Sequence, residues 1–137
     1  MTAFSLTILA AEKPFYEGEC TSLVLPTVDG LYGIQARHSN MIAPVIPGEL
    51  KITMPDGESI LAAVSGGLVK VESGSVLILA DTVELPDEID ENRARYAAEC
   101  AKEAILQKKS IQDYYNAQAK MARALNRLRV KRHGSGR

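Results

Sequence analysis

Arg123 and Arg127 stand four residues apart in the run Arg123-Ala124-Leu125-Asn126-Arg127-Leu128. On a helix this spacing puts both guanidinium groups on one face, where two planar forks can clamp a triphosphate bidentately. A second group, Ile89-Asp90-Glu91-Asn92-Arg93-Ala94, sets another arginine beside a carboxylate able to fix a helix start. The same residues also have a purely structural reading, in which Arg93, Arg123 and Arg127 pair with Asp87, Glu91 or Glu99, or with acidic groups of a partner. No catalytic constellation accompanies them. His38 falls in a loop and His133 in the tail, and neither stands with a plausible nucleophile. His38 therefore reads as a partner-facing or capping residue. Cys20 and Cys100 match no metal-ligand spacing and read as two reduced thiols. Gly66-Gly67 follows a strand but opens no helix and lacks the lysine of a phosphate-binding loop, so it reads as a tight bend between strands. The chain is expected to be no enzyme and to hold no metal.

The elements that must position these groups change character once along the chain. From Phe4 to about Asp81 the pattern is of short strands and turns, beginning with Phe4, Leu6 and Ile8, whose period of two marks a half-buried strand. Cys20 to Leu25 follows, expected to stop at Pro26, and the Val28-Asp29-Gly30 turn leads into Leu31 to Ile34. Leu50 to Met54 and Ser59 to Val64 flank Pro55-Asp56-Gly57-Glu58, the clearest hairpin signal. Leu68 to Val71 and Val76 to Leu79 flank a second, Glu72-Ser73-Gly74-Ser75. Many short strands without an intervening helix predict an antiparallel sandwich or barrel.

At Leu85-Pro86-Asp87 the β-branched residues give way to Ala, Glu, Lys, Arg and Gln, the strong helix formers. Pro86 with Asp87, Glu88, Asp90 and Glu91 makes a helix start, because carboxylates favour the positive end of the helix dipole. This divides the chain into residues 1–86 and 87–137. The first helix is predicted over Ile89 to Gln107, with Ala94, Ala97, Ala98, Ala101 and Ala104 on a small-residue face. The second carries Ile111, Tyr114, Gln118, Met121, Leu125 and Leu128 at spacings of three and four and should pack antiparallel on the first. No Gly or Pro interrupts Lys108 to Asp113. Ser110 or Asp113 can cap a second helix, and one continuous helix is equally permitted. The tail Arg129 to Arg137 is basic and Gly/Ser-rich, and fraying is expected there.

Charge follows the same division. Residues 1–86 hold 4 Lys/Arg against 10 Asp/Glu and residues 87–137 hold 12 against 7, a net −6 and +5 within an overall −1. Such polarity suggests two bodies that meet different surfaces. The sheet lacks the aromatic and basic interleaving of a nucleic-acid reader, so no nucleic-acid partner is expected. No run approaches a bilayer span, and the N-terminus lacks a basic secretory n-region. A cytoplasmic chain, peripheral to any membrane through a partner, is the expectation.

Several stretches in order resemble the epsilon family of bacterial F-type ATP synthases: Gly33-Ile34 followed by Arg37-His38, Ser65-Gly66-Gly67-Leu68-Val69-Lys70-Val71, Val76-Leu77-Ile78-Leu79-Ala80-Asp81, and Ile89 to Ala94. The likeness runs from Leu6 to Leu128. It implies an α+β fold, an N-terminal antiparallel β-sandwich of about ten strands followed by a C-terminal two-helix antiparallel hairpin. It implies a non-catalytic rotor subunit at the foot of the central stalk, with the sandwich on the gamma subunit and the c-ring. The helices fold down or extend along gamma toward the alpha/beta catalytic head, where they restrain ATP hydrolysis. The family's regulatory ATP pattern falls on Ile89, Asp90, Arg93, Ala94, Arg123 and Arg127, with Glu84 at its acidic position. Where some nucleotide-binding members carry a further basic residue, this chain has Cys100. The turn Asp29-Gly30-Leu31-Tyr32 resembles the loop that touches the c-ring. A free-standing ATP-sensing module is the competing reading, and co-purification with gamma separates the two.

Overall fold

The computed structural model of the chain describes residues 2–107 and 111–135. Contacts divide the chain into two compact units, Met1–Leu85 and Pro86–Arg137. In chain order the first holds β1 (Phe4–Ala10), β2 (Pro14–Cys20), β3 (Ser22–Thr27), β4 (Gly30–Ile34), β5 (Met41–Val45), β6 (Gly48–Thr53), β7 (Ser59–Val64), β8 (Gly67–Glu72), β9 (Ser75–Ala80) and β10 (Val83–Glu84). The second holds a 3-10 turn over Pro86–Glu88, then α1 (Glu91–Gln107) and α2 (Ile111–Ser135).

The strands form two five-stranded sheets, ordered β2-β1-β9-β8-β5 and β10-β7-β6-β3-β4. Between them lies the core. Leu6, Ile8, Val69 and Ile78 of the first sheet meet Leu23, Leu25, Leu50 and Ile52 of the second, all fully buried. The period of two in Phe4, Leu6 and Ile8 is thus realised, with Ser5 and Leu9 facing out.

Both predicted hairpins form. At β6–β7 the Asp56 Oδ1 accepts the Glu58 N–H at 2.9 Å, and Met54 N–H bonds the Glu58 carbonyl at 2.7 Å. At β8–β9 the turn residues Ser73 and Gly74 take φ of 52° and 80°, the paired left-handed conformation that matches the twist of a two-residue hairpin. Gly67 answers to close approach: a Cβ there would run into the Leu79 carbonyl oxygen and Ala80 Cα on the neighbouring strand. This is the physical content of the bend expected at Gly66-Gly67.

Several sequence expectations are corrected. The sheets are not wholly antiparallel, because β1 and β9 pair in parallel, Leu6 opposite Val76 and Ile8 opposite Ile78. A parallel neighbour needs a long crossover, and here almost the whole sandwich intervenes, so no local signal marks it. Pro26 does not stop its strand. β3 continues to Thr27, and Pro26 needs no ladder N–H because pairing with β6 ends at Val24 opposite Lys51. Its carbonyl accepts the Ile46 N–H at 3.1 Å. Cys20 closes β2 and does not open β3. β2 and β5 were not expected as strands, since Pro14, Glu17, Gly18, Glu19 and Pro44 are poor strand formers. Both are sheet edges, where proline and charge are tolerated and deter edge pairing.

In the second unit Asp90 caps α1. Its Oδ1 accepts the Arg93 N–H at 3.1 Å, and its carbonyl accepts the first helical bond from Ala94 at 3.0 Å. The helix therefore begins at Glu91 and not at Ile89, which is buried ahead of it. The seam with α2 buries Ala94, Ala98 and Ala101 from one side and Ala117 and Ala124 from the other. The predicted α2 stripe is corrected: Ile111, Gln118 and Leu125 are exposed, Ala117, Ala124, Asn126 and Val130 are buried, and Tyr114, Met121 and Leu128 are half-buried. Where two backbones approach over an alanine face, the nearest positions must be small, so the seam turns toward Ala117 and Ala124. The tail also differs, since α2 stays helical through Ser135 where fraying was expected. The join expected between Lys108 and Asp113 lies at 108–110, outside the described residues, as do Gly136 and Arg137.

Candidate functional site

The nucleotide candidates of the second unit fall at one end of the hairpin. Antiparallel packing sets the start of α1 beside the last half of α2, with Ala94 and Ala124 both in the seam. Ile89 and Ala94 are packing residues, 3% and 0% exposed, and Asp90 is a helix cap. The groups left to meet a phosphate are guanidinium groups. Arg93 and Arg123 are exposed, whereas Arg127 is half-buried with its Nε inside. Glu91 pairs with Arg95 at 2.9 Å, an exposed i,i+4 bridge along α1. Glu84 lies on β10 in the other unit, paired in register with Ala63. Among the described residues no His, Cys, Asp or Glu cluster is arranged to hold a metal.

The contact candidates of the first unit gather around β4. Thr27 Oγ1 donates to the Gly30 carbonyl at 2.8 Å and tightens the β3–β4 turn, where Gly30 has φ of 112°. That turn holds Val28 and Leu31 out in solvent, 72% and 73% exposed, on either side of Asp29. Behind the tip Tyr32 Oη and His38 Nε2 are 2.9 Å apart, their rings edge to face with centroids 5.6 Å apart. His38 Nδ1 lies 2.7 Å from the Ser39 carbonyl, which can only accept. Nδ1 therefore carries a proton and donates to that carbonyl. Arg37 beside it holds φ of 65°, so this loop is built around a left-handed residue.

A further surface escaped the sequence reading. Leu9, Leu79, Leu68 and Pro44 are neighbours in register across four strands on the outer face of the first sheet. The three leucines are 37% to 49% exposed, and Ile42 nearby is 70% exposed. The signal was present: Leu9, Leu68 and Leu79 are apolar at positions whose alternation points outward. Cys20 sits in the core, where burial pushes its thiol up to about 11, and Cys100 is exposed on α1.

Comparison with known proteins accounts for the chain nearly end to end. The family described as ATP synthase, Delta/Epsilon chain, beta-sandwich domain matches residues 3–86. That described as ATP synthase, Delta/Epsilon chain, long alpha-helix domain matches residues 87–132. The ATP synthase epsilon chain of Caldicellulosiruptor bescii is 39% identical over 130 residues, 95% of this chain and 94% of that protein. The epsilon chain of Alkalilimnicola ehrlichii is 34% identical over 95% of this chain and 93% of its own length. The fold recurs in a chain of the Euglena gracilis mitochondrial ATP synthase, OSCP/F1/c-ring in rotational state 1. It has a TM-score of 0.78 at 19% identity, over 96% of this chain and 80% of that one.

Proposed function

This chain belongs to the ATP synthase delta/epsilon chain family, and from that premise we propose that it works as an epsilon subunit, a non-catalytic part of the central stalk of an F-type ATP synthase. The observation that carries the reading is the tiling of the chain by both halves of the family, sandwich then helices, without a gap at the junction of 86 and 87. The subunit turns with the rotor, couples ion translocation to ATP synthesis, and restrains ATP hydrolysis through its C-terminal helices. Its partners are the gamma subunit, the c-ring and, through the helices, the alpha/beta head. Two surfaces of the sandwich suit the first two: the apolar outer row Leu9, Leu68, Leu79 and Ile42 for gamma, and the acidic Val28-Asp29-Gly30-Leu31 tip, backed by Tyr32 and His38, for the polar loops of the ring. Among the described residues no helix is long and apolar enough to cross a membrane. In this reading the subunit is peripheral to the membrane through the complex, on its cytoplasmic face.

Regulatory ATP belongs to the same proposal. The fit lies in the exposed guanidinium groups of Arg93 and Arg123, with the half-buried Arg127, one helical turn after Arg123, as a third donor. Each can donate to phosphate oxygens, while Asp90 holds the helix start that presents Arg93. Bound there, ATP supplies negative charge to the basic end of the hairpin and favours its folded form.

Native purification with an affinity tag on this chain tests the function. Gamma and the c-ring should co-purify with it. Recovery of the chain alone, from cells that contain an assembled synthase, would overturn the reading in favour of a free-standing ATP sensor.

A further inference from the structure

The C-terminal turns of α2 are ordered although their composition argues against it. Gly134 is the last residue but one of α2, and glycine is a weaker helix former than alanine by up to about fivefold. What holds this end is visible at Pro86, the first residue of the same unit. The Pro86 carbonyl accepts two donors, the Ile89 N–H at 3.2 Å and the Lys131 ammonium at 3.1 Å, the latter from 45 residues away. One turn further on, α2 lies so close to the Pro86 ring that a Cβ at Gly134 would collide with its Cβ and Cγ. Proline and glycine therefore fit as a pair, the missing side chain of one making room for the ring of the other. Lys131 and Gly134 are three residues apart, so both fall on one helix face.

We propose that Pro86, Lys131 and Gly134 form a latch that keeps the helical hairpin closed by fastening the end of α2 to the segment entering α1. The alanine seam supplies contact along the helices, but small side chains bury little area each, so the seam is shallow. The latch adds a fixed point at the open end, farthest from the join. Any movement of α2 away from α1 starts by breaking it. Because it grips Pro86, the state of the hairpin is read at the residue where the helical unit begins. The latch concerns the chain's own equilibrium and does not depend on the nucleotide or on partners.

Hydrogen exchange of the full-length chain tests this, read at the α2 amides with the β1 and β9 amides as internal reference. Gly134→Ala separates the latch from helix propensity by sign. Propensity alone slows α2 exchange, by at most about fivefold, whereas a blocked latch speeds it about tenfold. Lys131→Met, which keeps the stem and removes the donor, should speed it about threefold to tenfold. Arg132→Met, exposed on the adjacent position, should leave it unchanged. Pro86→Gly removes the ring, so adding Gly134→Ala to that background should no longer speed exchange. Slower or unchanged exchange in Gly134→Ala, or equal effects of Lys131→Met and Arg132→Met, would overturn the latch.

Discussion

Arg123 and Arg127 share a helix face but not an environment, and the difference ranks them. Arg123 is exposed, so turning its fork onto a phosphate costs little beyond rotamer freedom. Arg127 is half-buried, with its Nε inside, and already has a partner to give up. If ATP binds at this end of the hairpin, Arg123→Ala should weaken it by about 1.5–3 kcal/mol, the range for hydrogen bonds to charged groups. Arg127→Ala should weaken it less and cost the hairpin stability as well. Titration calorimetry with ATP, alongside thermal melts of both variants, reads the two effects separately. An absence of heat for the unmodified protein at millimolar ATP would remove the nucleotide site. Asp90 illustrates why such residues are hard to assign from a motif alone. Its carboxylate belongs to the motif that suggests a nucleotide, and in the fold it caps α1.

At the scale of elements, the sandwich holds its structure by contacts among its own strands. Eighteen core residues from Phe4 to Val83 form one cluster entirely within the first unit. The fragment 1–86 should therefore fold alone, with a cooperative thermal transition and a sheet-type circular dichroism spectrum. A fragment that stays unfolded while the whole chain folds would contradict this. What was legible beforehand follows from the range of the interactions. The turns at Asp56-Gly57 and Ser73-Gly74, the alternation in β1 and the helix start at Asp90 are local, and sequence patterning exposes them. Edge strands such as β2 and β5 answer to position in a sheet and not to propensity, so Pro14, Glu17, Glu19 and Pro44 hid them. The parallel pairing of β1 with β9 and the Pro86–Gly134 contact join residues far apart in sequence, and no window contains both partners. The α2 stripe was misread for a related reason. Its large residues were counted, whereas the facing alanines of α1 decide which positions come nearest.

For the whole molecule, the charge division becomes a functional argument. Pro86 is uncharged, so the two units carry the net −6 and +5 found for residues 1–86 and 87–137. The acidic unit presents exposed apolar surfaces, and the basic unit presents a long helix with Lys120, Arg123 and Arg129 exposed along it. A basic helix brought against carboxylates of a catalytic head, in a partly desolvated interface, can contribute a few kcal/mol per close pair. That is enough to bias a two-state equilibrium strongly, since about 5.5 kcal/mol moves a population from 1:99 to 99:1. Removing residues beyond Asp87 should therefore raise ATP hydrolysis by the reconstituted complex while assembly and coupling persist through the sandwich. Charge reversal at Lys120, Arg123, Arg127 and Arg129 should mimic the truncation. Reversal at Glu72 should not, because its exposed carboxylate is tied to Lys70 at 2.7 Å, within the sandwich. Steady-state ATPase rates of the four complexes decide the matter. Equal rates in the full-length, truncated and charge-reversed forms would show that the helices do not restrain hydrolysis here, and would leave the subunit its rotor role alone.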